Sequence, residues 1–290
     1  MTIYYLTYGA IAIQLLVISY LLANKMMARM RYVTEHYPKE KYPKLYPSTE
    51  NSFETCVHSF TSKNNGVLIF LTSVLVGLFL FEFEVPEVLP AVFLMIQFIP
   101  FAYLECSENS YFRAMRKADK RNIRTGSLTP RNLTDFVSKP LLIGAIAMLM
   151  LAFAVDYAVN QHIEKYLLGL GKGTFYRTVT LIVTNSFLAL IAYNAIYGKK
   201  FDPYLTPTDR SLQVSIIVKS MLFISIGLSC FYIVREGTDD SSLDSFQTIF
   251  MSIYCLLISL FSIGYRLYSL NVANMNFDVY RADTDSATHQ

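Results

Sequence analysis

The sequence predicts an all-α membrane protein with about seven transmembrane helices, one single helix followed by three helical hairpins. Three observations carry this reading. Hydrophobic residues make up 53% of the 290 residues and charged residues only 16%, against roughly a quarter charged in a typical soluble domain. The apolar residues lie in separate blocks of roughly 20, the length a helix needs to cross the hydrocarbon. Lys and Arg fall almost wholly in alternate connecting segments.

Seven windows qualify as spans, near residues 3–23, 66–83, 88–104, 140–158, 178–197, 215–234 and 247–270. In lipid each must satisfy its own backbone hydrogen bonds, and no alternating strand pattern competes with helix. In the first, Lys25, Arg29 and Arg31 follow the apolar run instead of preceding it, so it reads as a retained span and not a signal peptide. The second and third are joined by Glu84-Val85-Pro86-Glu87, which demands a tight hairpin. The three hairpins begin near Gly66, Pro140 and Ser215, with no residue-level repeat behind that even spacing. The chain therefore reads as one domain, residues 1–270, with connecting segments 24–65, 105–139 and 198–214. The polar tail 271–290 is expected to loosen towards its end.

The orientation follows from charge. Of the 25 Lys and Arg, only Lys165, Lys172, Arg177 and Arg235 fall on one side. Over short loops this asymmetry places the amino terminus outside and the carboxyl terminus in the cytoplasm. It also checks the number of spans, since one helix too many would scramble the alternation. The chain lacks Trp, so Tyr4, Tyr5 and Tyr8 are expected at the outer interface and Tyr193, Tyr197, Tyr265 and Tyr268 at the inner one. The short loops point to a bacterial plasma (inner) membrane.

Chemical signatures are sparse. The net charge of +3 gives no reason to expect nucleic acid. Cys56, Cys106, Cys230 and Cys255 fall in no outside loop, so no disulfide framework is expected. Cys56 and His58 form a lone C-x-H, which falls short of a zinc pattern, and no metal or cofactor is expected. Phosphate-loop, zinc-protease and nucleophile-elbow motifs are missing. The four histidines (His36, His58, His162 and His289) lie outside the spans, away from any serine they could activate. Gly169–Gly173 reads as a flexible linker.

Charges inside a membrane are functional candidates because they are costly unless paired or hydrated. Here they gather at span ends. Glu82, Glu84 and Glu87 sit at the outer edge, as does Asp156, for which Arg177 is a plausible partner. The acidic run Glu236–Asp244 reads as an outer loop. Mid-span polar residues are neutral: Gln14, Gln97 and Asn185. With Pro100 as a kink, Gln97 and Asn185 would line a path or join helices. In the last span Ser252, Cys255, Ser259 and Ser262 recur at helical steps as a small-residue packing seam, within the bundle or between protomers of a homo-oligomer.

The cytoplasmic side carries more character. Arg113, Arg116, Lys117, Lys120 and Arg124 share one face of a helical extension of the third span, opposite Tyr111, Phe112, Met115 and Ala118. Such a face attracts anionic lipid or an acidic partner. Three Tyr-Pro pairs between Tyr37 and Pro47 impose extended or turn geometry, for packing on inner segments or for presentation to a partner. Thr129-Pro130 and Thr206-Pro207, the latter with Asp209, resemble helix starts and suggest short helices along the inner surface. The sequence thus favours a non-enzymatic membrane protein that binds a partner protein or anionic lipid through its basic face. A transporter or channel is the alternative. A lipid-modifying enzyme using Glu105 and Glu108 with His36 or His58 is the third.

Overall fold

The computed structural model describes residues 2–47, 52–119, 131–160, 165–167, 170–200, 202–238 and 243–282. Seven of its helices are long and apolar enough to cross a membrane: α1 (Thr2–His36), α2 (Ser52–Leu80), α3 (Leu89–Ala118), α4 (Lys139–Asn160), α5 (Lys172–Tyr197), α6 (Pro207–Thr238) and α7 (Gln247–Ser269). Two short antiparallel strands, β1 (Lys165–Leu167) and β2 (Leu170–Gly171), join α4 to α5. The Gly169–Gly173 stretch is therefore not a simple linker, since Leu170–Gly171 is β2 and α5 begins at Lys172; Gly169 itself lies outside the described residues.

The helices outrun the apolar windows that announced them. α1 continues through the basic residues to His36, and α2 begins at Ser52, well before Gly66. Hydropathy marks where lipid would lie, whereas the hydrogen-bond ladder continues as long as partners allow. The inner-surface helix expected from Thr206-Pro207 is not a separate element. Thr206 caps Pro207–Thr238 directly, accepting from the Asp209 amide at 3.2 Å while its hydroxyl donates to the Asp209 carboxylate at 2.7 Å. Its counterpart at Thr129-Pro130 lies outside the described residues. α5 stops at Gly198, where a Cβ would come 2.2 Å from the Asn194 carbonyl oxygen, so only glycine fits. Arg131 and Arg210 donate to the carbonyls of Ile196 and Gly198 at 2.9 and 2.7 Å, satisfying acceptors that a helix C-terminus leaves open.

The packing departs from three side-by-side hairpins. α2 and α3 do pair. α4, however, lies chiefly against α6 and only lightly against α5, because α6 packs between them. α7 lies against α1, α3 and α6, so it joins the α1–α3 half to the α4–α6 half. In the first half Phe60, Ile18, Ala23, Met27, Phe101 and Cys255 form one buried cluster. In the second, Ala152, Leu181 and Leu228 do the same. Many large apolar side chains point outward, among them Met95 (73% exposed) and Ile69 (67%), as a bundle sheathed in lipid requires and a water-soluble one does not.

Both α1 and α7 depart from regular α-helix. Leu16–Leu22 in α1 and Leu260–Gly264 in α7 are π-helical. They approach each other, since a Cβ on Gly264 would lie 3.6 Å from Leu22. Beyond α7 the tail does not loosen at once. Two 3-10 turns, Val272–Asn274 and Phe277–Tyr280, dock on the end of the bundle.

Phe60 is fully buried against Phe101 with ring centroids 5.3 Å apart. Phe60→Ala leaves a cavity between α2 and α3 and should cost about 3–5 kcal/mol, read as a lower unfolding midpoint in detergent. An unchanged midpoint would contradict this packing.

Candidate functional site

Three polar assemblies stand out. The first lies in the middle of the α1–α3 half. Gln14, Ser19, Asn64, Gln97 and Ser252 are each at most 2% exposed and come from α1, α2, α3 and α7. The Gln14 amide donates to the Pro90 carbonyl at 2.9 Å and to the Gln97 oxygen at 3.3 Å. Gln97 donates to the Ser19 hydroxyl at 3.0 Å, and Asn64 donates to the Ser19 carbonyl at 2.7 Å. Ser252 donates to the Gln14 oxygen at 2.9 Å. Ser19 stands inside the π-helical stretch of α1, where an outside donor occupies a main-chain acceptor. Neutral amides and hydroxyls suit this position because they bond in several directions without the desolvation cost of a charge.

The second assembly closes the end of the bundle near the amino terminus. Arg177 of α5 lies 2.8 Å from both Asp156 of α4 and Glu236 of α6, and both carboxylates are buried. The Asp156–Arg177 pair was expected from sequence. Glu236 was not, having been read as loop: α6 runs on to Thr238 and carries it inward. Both contacts are made at Arg177 Nε, which donates to Asp156 Oδ1, while Glu236 Oε1 lies against the same nitrogen as an ion pair. Nearby, Arg235 bonds Glu87 at 3.2 Å, which ties α6 to the α2–α3 connection.

The third assembly caps the opposite, basic end. Tyr42, Met115, Tyr204, Val272, Phe277 and Tyr280 form a buried cluster, with Tyr32, Tyr37, Tyr111 and Phe112 packed around it. The Tyr-Pro loop is thus a packing element. Tyr37 stacks on Phe277 with centroids 3.8 Å apart, Tyr46 donates to the Tyr37 carbonyl at 2.8 Å, and Tyr111 donates to the Leu45 carbonyl. Buried Asp202 accepts from the Tyr204 amide at 2.8 Å and from the Tyr280 hydroxyl. Burial, reinforced by the Asp202 charge, holds the Tyr280 hydroxyl well above the ordinary tyrosine range.

The basic ridge grows from this cap. Tyr111, Phe112 and Met115 turn into the cluster, while Arg113, Arg116 and Lys117 are exposed on the other face of α3. None of these three has an acidic partner within ion-pair distance among the described residues. Lys120 and Arg124 lie outside the described residues. The remaining sequence candidates are separated. Gln97 belongs to the first assembly, whereas Asn185 accepts from Ser225 and donates to the Leu181 carbonyl of its own helix at 2.9 Å, in the other half. Ser252, Cys255 and Ser259 are buried within the bundle against α1, and Ser262 is partly buried. Ser259 and Ser262 bond back to carbonyls of α7 at 2.8 and 2.7 Å, just where its π-helical stretch begins. Among the described residues nothing bonds Glu105 or Glu108 to His36 or His58, and no three His, Cys, Asp or Glu side chains are grouped to hold a metal ion.

Comparison with protein-family models, curated proteins and solved structures gives no match. The functional reading therefore rests on these assemblies alone. Sequence reasoning missed Ser19, Asn64, Glu236, Asp202 and Tyr280. For Asn64 a signal was present: a short amide two residues before an apolar run.

Two expectations follow. Arg177→Met strands two buried carboxylates and should cost about 3–5 kcal/mol, measured as loss of thermal stability in detergent; Asp156→Asn, which keeps a hydrogen-bonding group, should cost less. Tyr280 favours its protonated form in the folded state. Its contribution to tail docking is complete below the unfolded tyrosine value of about 10 and is lost as pH rises towards the higher folded value. Hydrogen exchange of residues 272–281 should quicken as pH passes the unfolded value, beyond the intrinsic pH effect. Tyr280→Phe should remove that excess and weaken docking below the unfolded value.

Proposed function

We propose that this is a multi-pass membrane protein, amino terminus outside, whose cytoplasmic basic ridge on α3 docks an acidic protein segment. The observation that carries the reading is the height of the ridge. α3 has 30 residues, about 45 Å at 1.5 Å per residue, against a hydrocarbon core of about 30 Å. If its apolar run ends near Leu104, Arg113 to Lys117 stand roughly 14–20 Å further along the axis. The headgroup layer is only about 5–8 Å thick on each side. An upright α3 therefore lifts the ridge clear of the headgroups, to where lipid attraction fades over about one Debye length of 8–10 Å. Packing of Met115 and Tyr111 into the cap supports an upright, rigid extension. The charge asymmetry of the loops supports the orientation.

Rigid charge favours a macromolecular partner. Three cations without an acidic partner among the described residues, held on a folded layer, lose little entropy on binding, unlike lysines on a loose tail. The transport alternative draws no comparable support, because Gln97 and Asn185 serve separate helix contacts.

The test uses the full chain in nanodiscs and a fluorescent poly-glutamate peptide as probe. In zwitterionic lipid the peptide should bind in a salt-sensitive manner. Joint Arg113→Gln, Arg116→Gln and Lys117→Gln substitution should weaken it about 10- to 100-fold, as loss of three exposed charge pairs predicts. Undiminished peptide binding, with loss only of anionic lipid retained through purification, would overturn the reading in favour of a lipid site.

A further inference from the structure

Two carbonyl groups fix the direction of the hydrogen bonds in the buried polar node. A carbonyl oxygen only accepts, so the Gln14 atom 2.9 Å from the Pro90 oxygen is the amide nitrogen. That nitrogen also lies 3.3 Å from a terminal atom of Gln97, which must then be oxygen. Gln97 consequently turns its nitrogen to the Ser19 hydroxyl at 3.0 Å. On the other side, the Asn64 atom 2.7 Å from the Ser19 carbonyl must be nitrogen, which turns its oxygen away. Reversing any one of these amides would set acceptor against acceptor or donor against donor.

This fixed pattern leaves groups over. The Ser19 oxygen accepts from Gln97, and its own hydrogen has no acceptor among the described residues. The second amide hydrogen of Gln97 is in the same position. Asn64 Oδ1 is a fully buried acceptor with no donor among the described residues. Buried polar groups are paired in native proteins, with ordered water where side chains do not reach. The leftover donors and the leftover acceptor belong to residues already joined, Gln97 to Ser19 and Ser19 to Asn64. A cation would meet Asn64 Oδ1 but face the amide hydrogens of Asn64 and Gln97. An anion would meet those hydrogens but oppose Oδ1. The complementary ligand both accepts and donates.

We propose that Ser19, Gln97 and Asn64 hold one water molecule between α1, α2 and α3. It accepts from the Ser19 hydroxyl and the Gln97 amide and donates to Asn64 Oδ1. The site coincides with the π-helical stretch Leu16–Leu22, the kind of helix irregularity where water and side chains enter the backbone ladder.

The test is water-edited solid-state NMR of the full chain in lipid bilayers with nitrogen-labelled Asn and Gln. The side-chain amides of Asn64 and Gln97 should receive magnetisation from water, although both residues are buried. The Gln14 amide, whose two hydrogens bond to protein, should receive much less and serves as the internal control. Ser19→Ala should abolish the transfer to Asn64. Transfer to Asn64 and Gln97 no greater than to Gln14 would overturn the proposal in the wild-type protein alone, whether or not the variant folds. Full transfer in a folded Ser19→Ala protein would overturn the assignment of Ser19. An experimental map that resolves ordered water should show a peak within hydrogen-bond distance of Ser19 Oγ and Asn64 Oδ1; another protein donor in contact with Oδ1 would exclude it.

Discussion

Much of the first half of the bundle depends on how α1 is held at Ser19. A helix in lipid has no bulk water to satisfy a carbonyl that leaves its ladder, so an irregularity needs a donor held within the protein. Asn64 supplies one to the Ser19 carbonyl and Gln97 supplies another to the hydroxyl. Through Gln14 the same set of bonds reaches Pro90 in α3 and Ser252 in α7. Four helices are thereby fixed in register by neutral groups. Apolar packing alone would not do this as sharply, because lipid tails compete with Leu and Phe for the same surfaces and interhelical hydrogen bonds have no such competitor.

The second half is organised on a different principle. Between α5 and α6 the bond of Asn185 with Ser225 is a comparable polar link. Its charged bond lies at one end, where Arg177 gathers α4 and α6. At the other end Arg131 and Arg210 hold the last carbonyls of α5. This half is pinned at its ends and the first is pinned at its middle. α7, seated against the first half through Ser252 and Cys255 and against α6 through Tyr254 and Phe261 stacked on Phe231 and Phe223, is the element through which displacement in one would be felt in the other. Its own π-helical stretch meets that of α1 at Leu22, so the two irregular helices are in contact where each departs from α geometry.

What could be read from the sequence followed from hydropathy. Seven apolar blocks yield seven long helices because each block is long enough to need a complete backbone ladder. Long-range partners were legible only where chemistry narrowed the choice, as for Asp156 and Arg177. Glu236 escaped because composition alone cannot tell the last turn of a helix from the loop after it. Asp202 and Tyr280 escaped because 78 residues separate them and neither sits in a periodic pattern. The pairing of α4 with α6 is likewise invisible to a reading that joins neighbours along the chain. The π-helical stretches have no composition of their own; they follow from where Asn64 and the α7 serines send their hydrogen bonds.

The two ends of the bundle differ in what they leave exposed. At the amino-terminal end the basic side chains Arg177 and Arg235 are engaged by Asp156, Glu236 and Glu87. At the basic end the aromatic cap consumes tyrosine hydroxyls and carbonyls internally, and Lys44 and Arg281 lie over the Tyr204 and Tyr42 rings. Arg113, Arg116 and Lys117 are left out of this arrangement by helical phase. The turn that drives Tyr111, Phe112 and Met115 into the cap necessarily drives the three cations away from it. A stable cap and an exposed basic ridge are thus one consequence of the α3 sequence. A substitution that loosened the cap would blur the ridge before it touched a charge.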